Sequence, residues 1–251
     1  MGARTEGSNH ILRLRTASWV EKMIEPLASE KEWAPIWEGA NPWQPPDRPM
    51  LVISPHPDDE TLGAGGLIGL QAARGIPLHV VAVTDGENAY RDGVDIADRR
   101  SQEQTSALGR LGVTPSNLTR LKLTDSGVTA DEELLVERLM PLVSKASHIV
   151  APWTGDYHPD HEACGRAAVE VARRSSAALT FYFFWTWHRG RPDLLRNLSL
   201  KSLALSAEFQ RAKREALSAH RSQLEHPSGE PILPDYLLWP ARRSCEVFLP
   251  I

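Results

Sequence analysis

Two short segments concentrate the residues able to do chemistry. Pro55-His56-Pro57-Asp58-Asp59-Glu60 sets two adjacent carboxylates beside a histidine, and Tyr157-His158-Pro159-Asp160-His161 sets two histidines three positions apart. Adjacent carboxylates are costly to desolvate unless a cation or hydrogen bonds offset their charge. Two imidazoles and one carboxylate, from His56, Asp59 and His161, suit a zinc ion (Zn2+) with one open coordination position. Ferrous iron (Fe2+) accepts the same set. Asp58 is then left over to take a proton from metal-bound water, whose pKa the ion brings near ~7. His158 suits stabilisation of an oxyanion or protonation of a leaving amine, and Asp160 suits orienting a histidine from behind. Singly, each segment also reads as a helix cap, because Asp caps helices freely. Their joint presence favours one site.

That joint reading depends on the elements that carry the two segments. From residue 50 the pattern alternates, with strands over Met50–Ser54, Leu78–Thr84, Leu118–Leu123, His148–Ala151 and Leu179–Trp185. Helices are expected over Leu62–Arg74, Asp95–Leu111, Asp131–Lys145, Glu162–Arg174 and Ser206–Gln223, before a Pro-rich tail. Such alternation predicts an α/β fold, a Rossmann-like doubly wound, mostly parallel sheet with helices on both faces. In a strand order 3-2-1-4, the first and fourth strands are neighbours where the chain direction reverses, and ligands bind beyond their carboxyl ends. Both segments follow those two strands. Residues 1–49 are read as an N-terminal helical arm packed on a domain of residues 50–251. Trp19, Val20, Met23, Ile24 and Leu27 recur there at helical spacing, followed by Trp33, Trp37 and Trp43.

Charge and composition exclude several classes of function. A net charge of −4 with basic residues scattered through the chain leaves no footprint for nucleic acid. No apolar run reaches the length of a membrane span, and no signal peptide opens the chain, so a cytoplasmic address is expected. Cys164 and Cys245 stand far apart and outside any CxxC pattern, as reduced thiols would. Gly63-Ala64-Gly65-Gly66 lacks the G-x-G-x-x-G spacing and is expected to serve helix–sheet packing. Phe181–Trp187 reads as a core strand whose end, at Trp185 or Trp187, offers a wall for stacking a sugar, and Trp153 is read as lining the cleft.

The quoted motifs resemble the LmbE/PIG-L family of zinc-dependent N-deacetylases. PHPDDE at 55–60 and HPDH at 158–161 are joined by VTDGE at 83–87 and by R-x-x-E-x-x-x-A-x-x-x-L-G from Arg100 to Gly112. A late segment, Lys213-x-x-Ala216-x-x-x-His220-x-Ser222-Gln223, adds to a likeness covering roughly residues 50–225. The resemblance implies zinc on His56, Asp59 and His161, a general base at Asp58, and an electrostatic role for His158 with Asp160 beside it. It also implies that Arg100 contacts substrate, as in the mycothiol-type enzymes, and that Asp125 contacts a sugar hydroxyl. Those enzymes carry a tyrosine two positions before HPDH; here Asp156 stands there and Tyr157 follows. The implied reaction removes an N-acyl group, foremost N-acetyl, from a small amino sugar or its conjugate, by attack of metal-bound water on the amide carbonyl. The residues alone leave open a non-haem iron oxygenase or a non-catalytic nucleotide-binding module, and a homo-oligomer built through the arm.

Overall fold

The computed structural model describes residues 25–90, 96–144, 147–225, 229 and 231–251. The first half of the chain runs α1 (Glu30–Glu38), β1 (Asn41–Pro42), β2 (Met50–Ser54), α2 (Asp59–Ala73), β3 (Leu78–Ala82), α3 (Ala97–Arg110), β4 (Leu118–Arg120) and α4 (Glu132–Leu139). It continues β5 (His148–Pro152), α5 (Pro159–Ser175), β6 (Ala178–Tyr182), α6 (Thr186–Arg189), β7 (Lys201–Ala204), α7 (Ala207–Leu217), α8 (Arg221–Leu224), α9 (Trp239–Arg242) and β8 (Cys245–Pro250). One sheet takes the order β1-β7-β8-β6-β5-β2-β3-β4, parallel except where β8 runs against β6 and β7. The expected order of the first four core strands is thus β4-β3-β2-β5, and the chain reverses direction between β2 and β5.

Every residue of β2 and of β5 is buried, as parallel strands covered on both faces require. Side chains alternate between the faces. Leu51 and Ile53 join α4 and α5 residues such as Leu135, Leu139, Ala167 and Val171. Met50 and Val52 face the other way, against Leu67 and Ile68 of α2, Leu108 of α3 and Ala216 of α7. The glycines of α2 serve close packing as expected: a Cβ on Gly63 would enter the Tyr182 ring. Among the described residues no helix is long and apolar enough to cross a membrane.

Several sequence expectations are corrected. The strand expected through Trp185 ends at Tyr182, because the backbone N–H groups of Phe184, Trp185 and Thr186 all donate to the Asp156 carboxylate and start α6. The single helix expected over Ser206–Gln223 is broken between α7 and α8, where His220 takes a non-helical conformation. The tail supplies β8 to the middle of the sheet, and β1 and β7 extend it. Of the residues expected to form an N-terminal helix, Trp19, Val20, Met23 and Ile24 lie outside the described residues, and Leu27 is exposed and precedes α1. Instead, Trp33 of α1 is fully buried with its ring 5.0 Å from that of Trp187.

Candidate active site

The two chemistry-bearing segments meet beyond the ends of β2 and β5. His56 and Asp58 sit in the turn after β2, Asp59 opens α2, and His158 and Pro159 open α5. Asp58 holds φ 149°, and Tyr157 holds φ 58° in the left-handed region. Non-glycine residues persist in such conformations only when their surroundings hold them, and such positions cluster at functional sites. His158 does cap a helix, accepting the Asp160 N–H at Nδ1 over 3.3 Å. The capping and functional readings of HPDH therefore coexist.

Asp59 Oδ2 lies 3.0 Å from His56 Nδ1 and 3.1 Å from His161 Nε2. The far nitrogen of each ring is held by carboxylates. His161 Nδ1 is 2.8 Å from Asp156 Oδ2, while His56 Nε2 is 3.2 Å from both Asp125 Oδ1 and Asp160 Oδ2. An acceptor on the far nitrogen fixes the tautomer and turns the near lone pair inward. Two nitrogen lone pairs and a carboxylate oxygen thus converge on one point, an arrangement that repels itself without a positive charge among them. His161 Nε2 is buried and lacks a hydrogen-bond partner despite the nearby Asp59. The donor set fits a divalent cation held by His56, Asp59 and His161, whose ligating atoms lie within 4.8 Å of one another. His56, His158 and Asp160 form a second grouping of the same spacing. There Asp160 is committed elsewhere, accepting from the backbone of Ser126 and Val128.

The titration tendencies repeat this demand for positive charge. Burial alone would depress the His161 pKa, yet Asp59 and Asp156 push it up to about 9. His56 is raised against the same burial by hydrogen bonds to Asp125, Asp160 and Asp59. Asp59 is held well below the usual carboxylate range because His161 and His56 outweigh its burial. Asp58 moves the opposite way: burial and the adjacent Asp59 charge raise it, against Arg100 3.6 Å away. His158 is pushed well below its ordinary value by burial and by the charges at His56 and His161.

The remaining sequence candidates fall as follows. Arg100 lines the cleft, donates to Gly86 O over 2.9 Å and faces Asp58, whereas Arg99 pairs with Glu103. Gly86 has φ +66°, and a Cβ there would overlap the Arg100 guanidinium, which explains the glycine of VTDGE. Asp125 lines the cleft but is spent on His56 and on the backbone N–H of Asn88. Trp153 is not among the cleft residues; it packs against Phe183 in the core, and Trp185 takes the wall position. Asp156, fully buried under His161, was missed by sequence reasoning. Its signal was the aspartate standing where the mycothiol-type enzymes carry tyrosine. Tyr157 is 40% exposed and outside the cleft.

A buried two-histidine, one-carboxylate set able to hold a metal ion, with a spare carboxylate beside it, stands at the switch point of a doubly wound sheet, where ligands bind in this class of fold. Residues 51–172 match the family described as PIG-L: GlcNAc-PI de-N-acetylase. The chain is 32% identical to the "Probable N-acetyl-alpha-D-glucosaminyl L-malate deacetylase 2" of Bacillus subtilis, over 70% of this chain and 83% of that protein. To the "1D-myo-inositol 2-acetamido-2-deoxy-alpha-D-glucopyranoside deacetylase" of Rhodococcus opacus it is 33% identical, covering 73% and 84%. The N,N'-diacetylchitobiose deacetylase of Pyrococcus horikoshii superposes with a TM-score of 0.62 at 21% identity, covering 81% of this chain and 84% of that one, which shows the shared fold. The chain belongs to the PIG-L (LmbE-like) family and is a deacetylase, a hydrolase of N-acetyl amide bonds. The iron oxygenase and nucleotide-binding readings are set aside on this ground.

Proposed function

We propose that the protein is a zinc-dependent deacetylase that hydrolyses the N-acetyl amide of a small amino-sugar conjugate to a free amine and acetate. The observation that carries this reading is the convergence of His56 Nδ1, Asp59 Oδ2 and His161 Nε2 beside the uncoordinated Asp58. A zinc ion on those three groups would supply Lewis acidity to the amide carbonyl and acidify a water. Asp58 takes up the proton: burial raises its carboxyl, so it holds a proton once received, and Arg100 keeps it oriented. His158 is neutral, and because its Nδ1 accepts from Asp160, its proton sits on Nε2, ready to donate to a developing oxyanion. Asp125 and Asp160 hold the His56 ring, and Asp156 holds that of His161. On the flank of β3 and β4, Asn88 and Ser126 offer polar groups to sugar hydroxyls. The relatives named for acetylated glucosamine conjugates support this substrate class.

The test is a zinc-loaded assay over N-acetylated sugars, nucleotide sugars and glycosides, reading free amine and acetate together. Stoichiometric release of both, abolished by chelation and restored by zinc, is expected. Turnover that persists in fully chelated protein, or amine release without acetate, would falsify the proposal.

A further inference from the structure

The cleft is polar on one flank and apolar on the other, and the sheet order explains the division. β3 and β4 lie to one side of β2 and bring Asn88, Asp125 and Ser126 to the cleft. On the other side, past β5, the end of β6 brings Phe184 and Trp185, and Pro231–Leu237 closes against them. Leu233 clusters with Phe184 and Leu62, which fixes this segment at the cleft, and Ile232 packs half-buried at the edge of the same cluster. Of the residues named on the apolar flank, Leu62 alone lies within the stretch matched to the family.

Among the described residues, the arginines that line the cleft already have protein partners. Arg100 is held by Gly86 O and Asp58, while Arg189 donates to Tyr157 O and lies 4.3 Å above the Trp185 ring. A polyhydroxyl group on the apolar flank would lose hydrogen bonds to water that proline, leucine and isoleucine side chains do not replace.

We propose that the substrate carries an apolar group, alkyl or aryl, next to the reacting amide, and that this group seats between Trp185 and Pro231–Leu237. The inference rests on the deacetylase reading and specifies its substrate class. The apolar group arrives either as the aglycone or as a longer acyl chain, and the experiment separates the two.

Zinc-loaded protein is assayed for amine release from the methyl, hexyl and phenyl glycosides of N-acetylglucosamine, and from the methyl glycoside bearing N-hexanoyl in place of N-acetyl. A rise of at least about tenfold in kcat/KM over the methyl N-acetyl parent is expected in one series. The series that rises identifies the source of the apolar group. Equal values throughout overturn the apolar seat and leave the deacetylase reading intact. No release from any of the four overturns that reading instead. The seat is then judged by calorimetry with the methyl and hexyl 2-amino-2-deoxyglucosides, where equal affinities overturn it and tighter hexyl binding supports it. Ile232→Asn is expected to bring the ratio of the favoured apolar substrate to the parent toward one. Tyr236→Ser, at a 42% exposed cleft residue, serves as a second variant should Ile232→Asn fail to fold. A ratio unchanged in both variants overturns the assignment.

Discussion

The floor and the apolar flank of the cleft are built on opposite principles. In the floor, His56, Asp58, Asp59 and His161 are nearly or fully buried, and carboxylates and backbone groups behind them fix their orientation. The flank has few polar side chains and is shaped by packing among Phe184, Leu233, Leu62 and Leu238. The floor concentrates charge that only a cation can balance, so its composition is dictated by chemistry. Packing tolerates many residues of similar size, so the flank is free to differ between relatives. On the two proposals above, the reaction resides in the floor and the choice of substrate in the flank.

The sharpest way to break that comparison is to substitute the two adjacent carboxylates separately. Asp59→Ala removes the oxygen on which both histidines converge, and bound zinc is expected to be lost together with turnover. Asp58→Asn is expected to retain zinc and lose on the order of 10²–10⁴-fold in kcat, on every substrate alike. Metal content by mass spectrometry and kcat on two dissimilar substrates check both. Equal loss of metal in the two variants removes the division of labour, and a substrate-dependent loss in Asp58→Asn removes the division between floor and flank.

Asp156 joins the two regions, since one carboxylate accepts from His161 Nδ1 and from the backbone of Phe184, Trp185 and Thr186. Asp156→Asn leaves one acceptor and is expected to weaken zinc roughly 10–100-fold, as loss of a partner behind a ligating histidine does. A rise in KM for apolar substrates should accompany it, because the Trp185 wall starts from the same carboxylate. Zinc affinity measured by competition with a chelator, set beside KM, reads both effects. A change in either one alone would show that the joint is not shared.

These contrasts also explain what the sequence made legible. The floor was readable because a cluster able to hold a metal ion needs particular residue types at short spacing after strand ends, as in PHPDDE and HPDH. β2, β3 and β5 were readable because burial on both faces makes them mostly apolar, with His79 and His148 as the polar exceptions in β3 and β5. β8 was hidden by the charge of Glu246 near its start. That carboxylate is buried, takes the N–H groups of Gly66 and Leu67, and pairs with Lys213 Nζ at 2.6 Å. No local pattern announces a partner more than thirty residues away. The end of β6 was misread because FYFFWTW has strong strand propensity, which the tertiary capture of its N–H groups by Asp156 overrides. Trp153 and Trp185 both follow strand ends, and only packing against Phe183 distinguishes the core tryptophan from the cleft tryptophan.

Behind the flank lies a second arginine–tryptophan assembly that sharpens the comparison. Arg243 stacks on Trp37 at 4.3 Å and Trp187 at 4.6 Å and is closed off from the cleft, whereas the Arg189–Trp185 stack lines it. Trp37→Ala is expected to cost about 2 kcal/mol of stability through lost burial and cation–π contact. Turnover of a small substrate by the folded variant should not change. Urea denaturation beside steady-state kinetics checks this, and a kcat loss at full folding would mean that the α1 region reaches the floor.

The last contrast is a difference in sign with pH. His188, buried against Phe184 and Trp185, has its pKa lowered by burial to about 3. The unfolded chain therefore takes a proton below pH ~6.5 that the folded chain refuses, so the stability of this region is complete above that pH and falls in acid. In metal-stripped protein His161 behaves in the opposite way. Its raised pKa of about 9 contributes stability that is complete below pH ~6.5 and disappears as the pH rises through 9. Metal-stripped protein should accordingly lose stability in both directions, with each histidine contributing at most about 1.4 kcal/mol per pH unit. His148 and His220, lowered by burial to about 4 and about 3, add to the acid limb, so His188→Gln should reduce its slope without abolishing it. Urea midpoints between pH 5 and 9 read both limbs. Zinc should flatten the alkaline limb, because it takes the place of the proton on His161, and should steepen the acid limb, because protonation of its histidine ligands releases it.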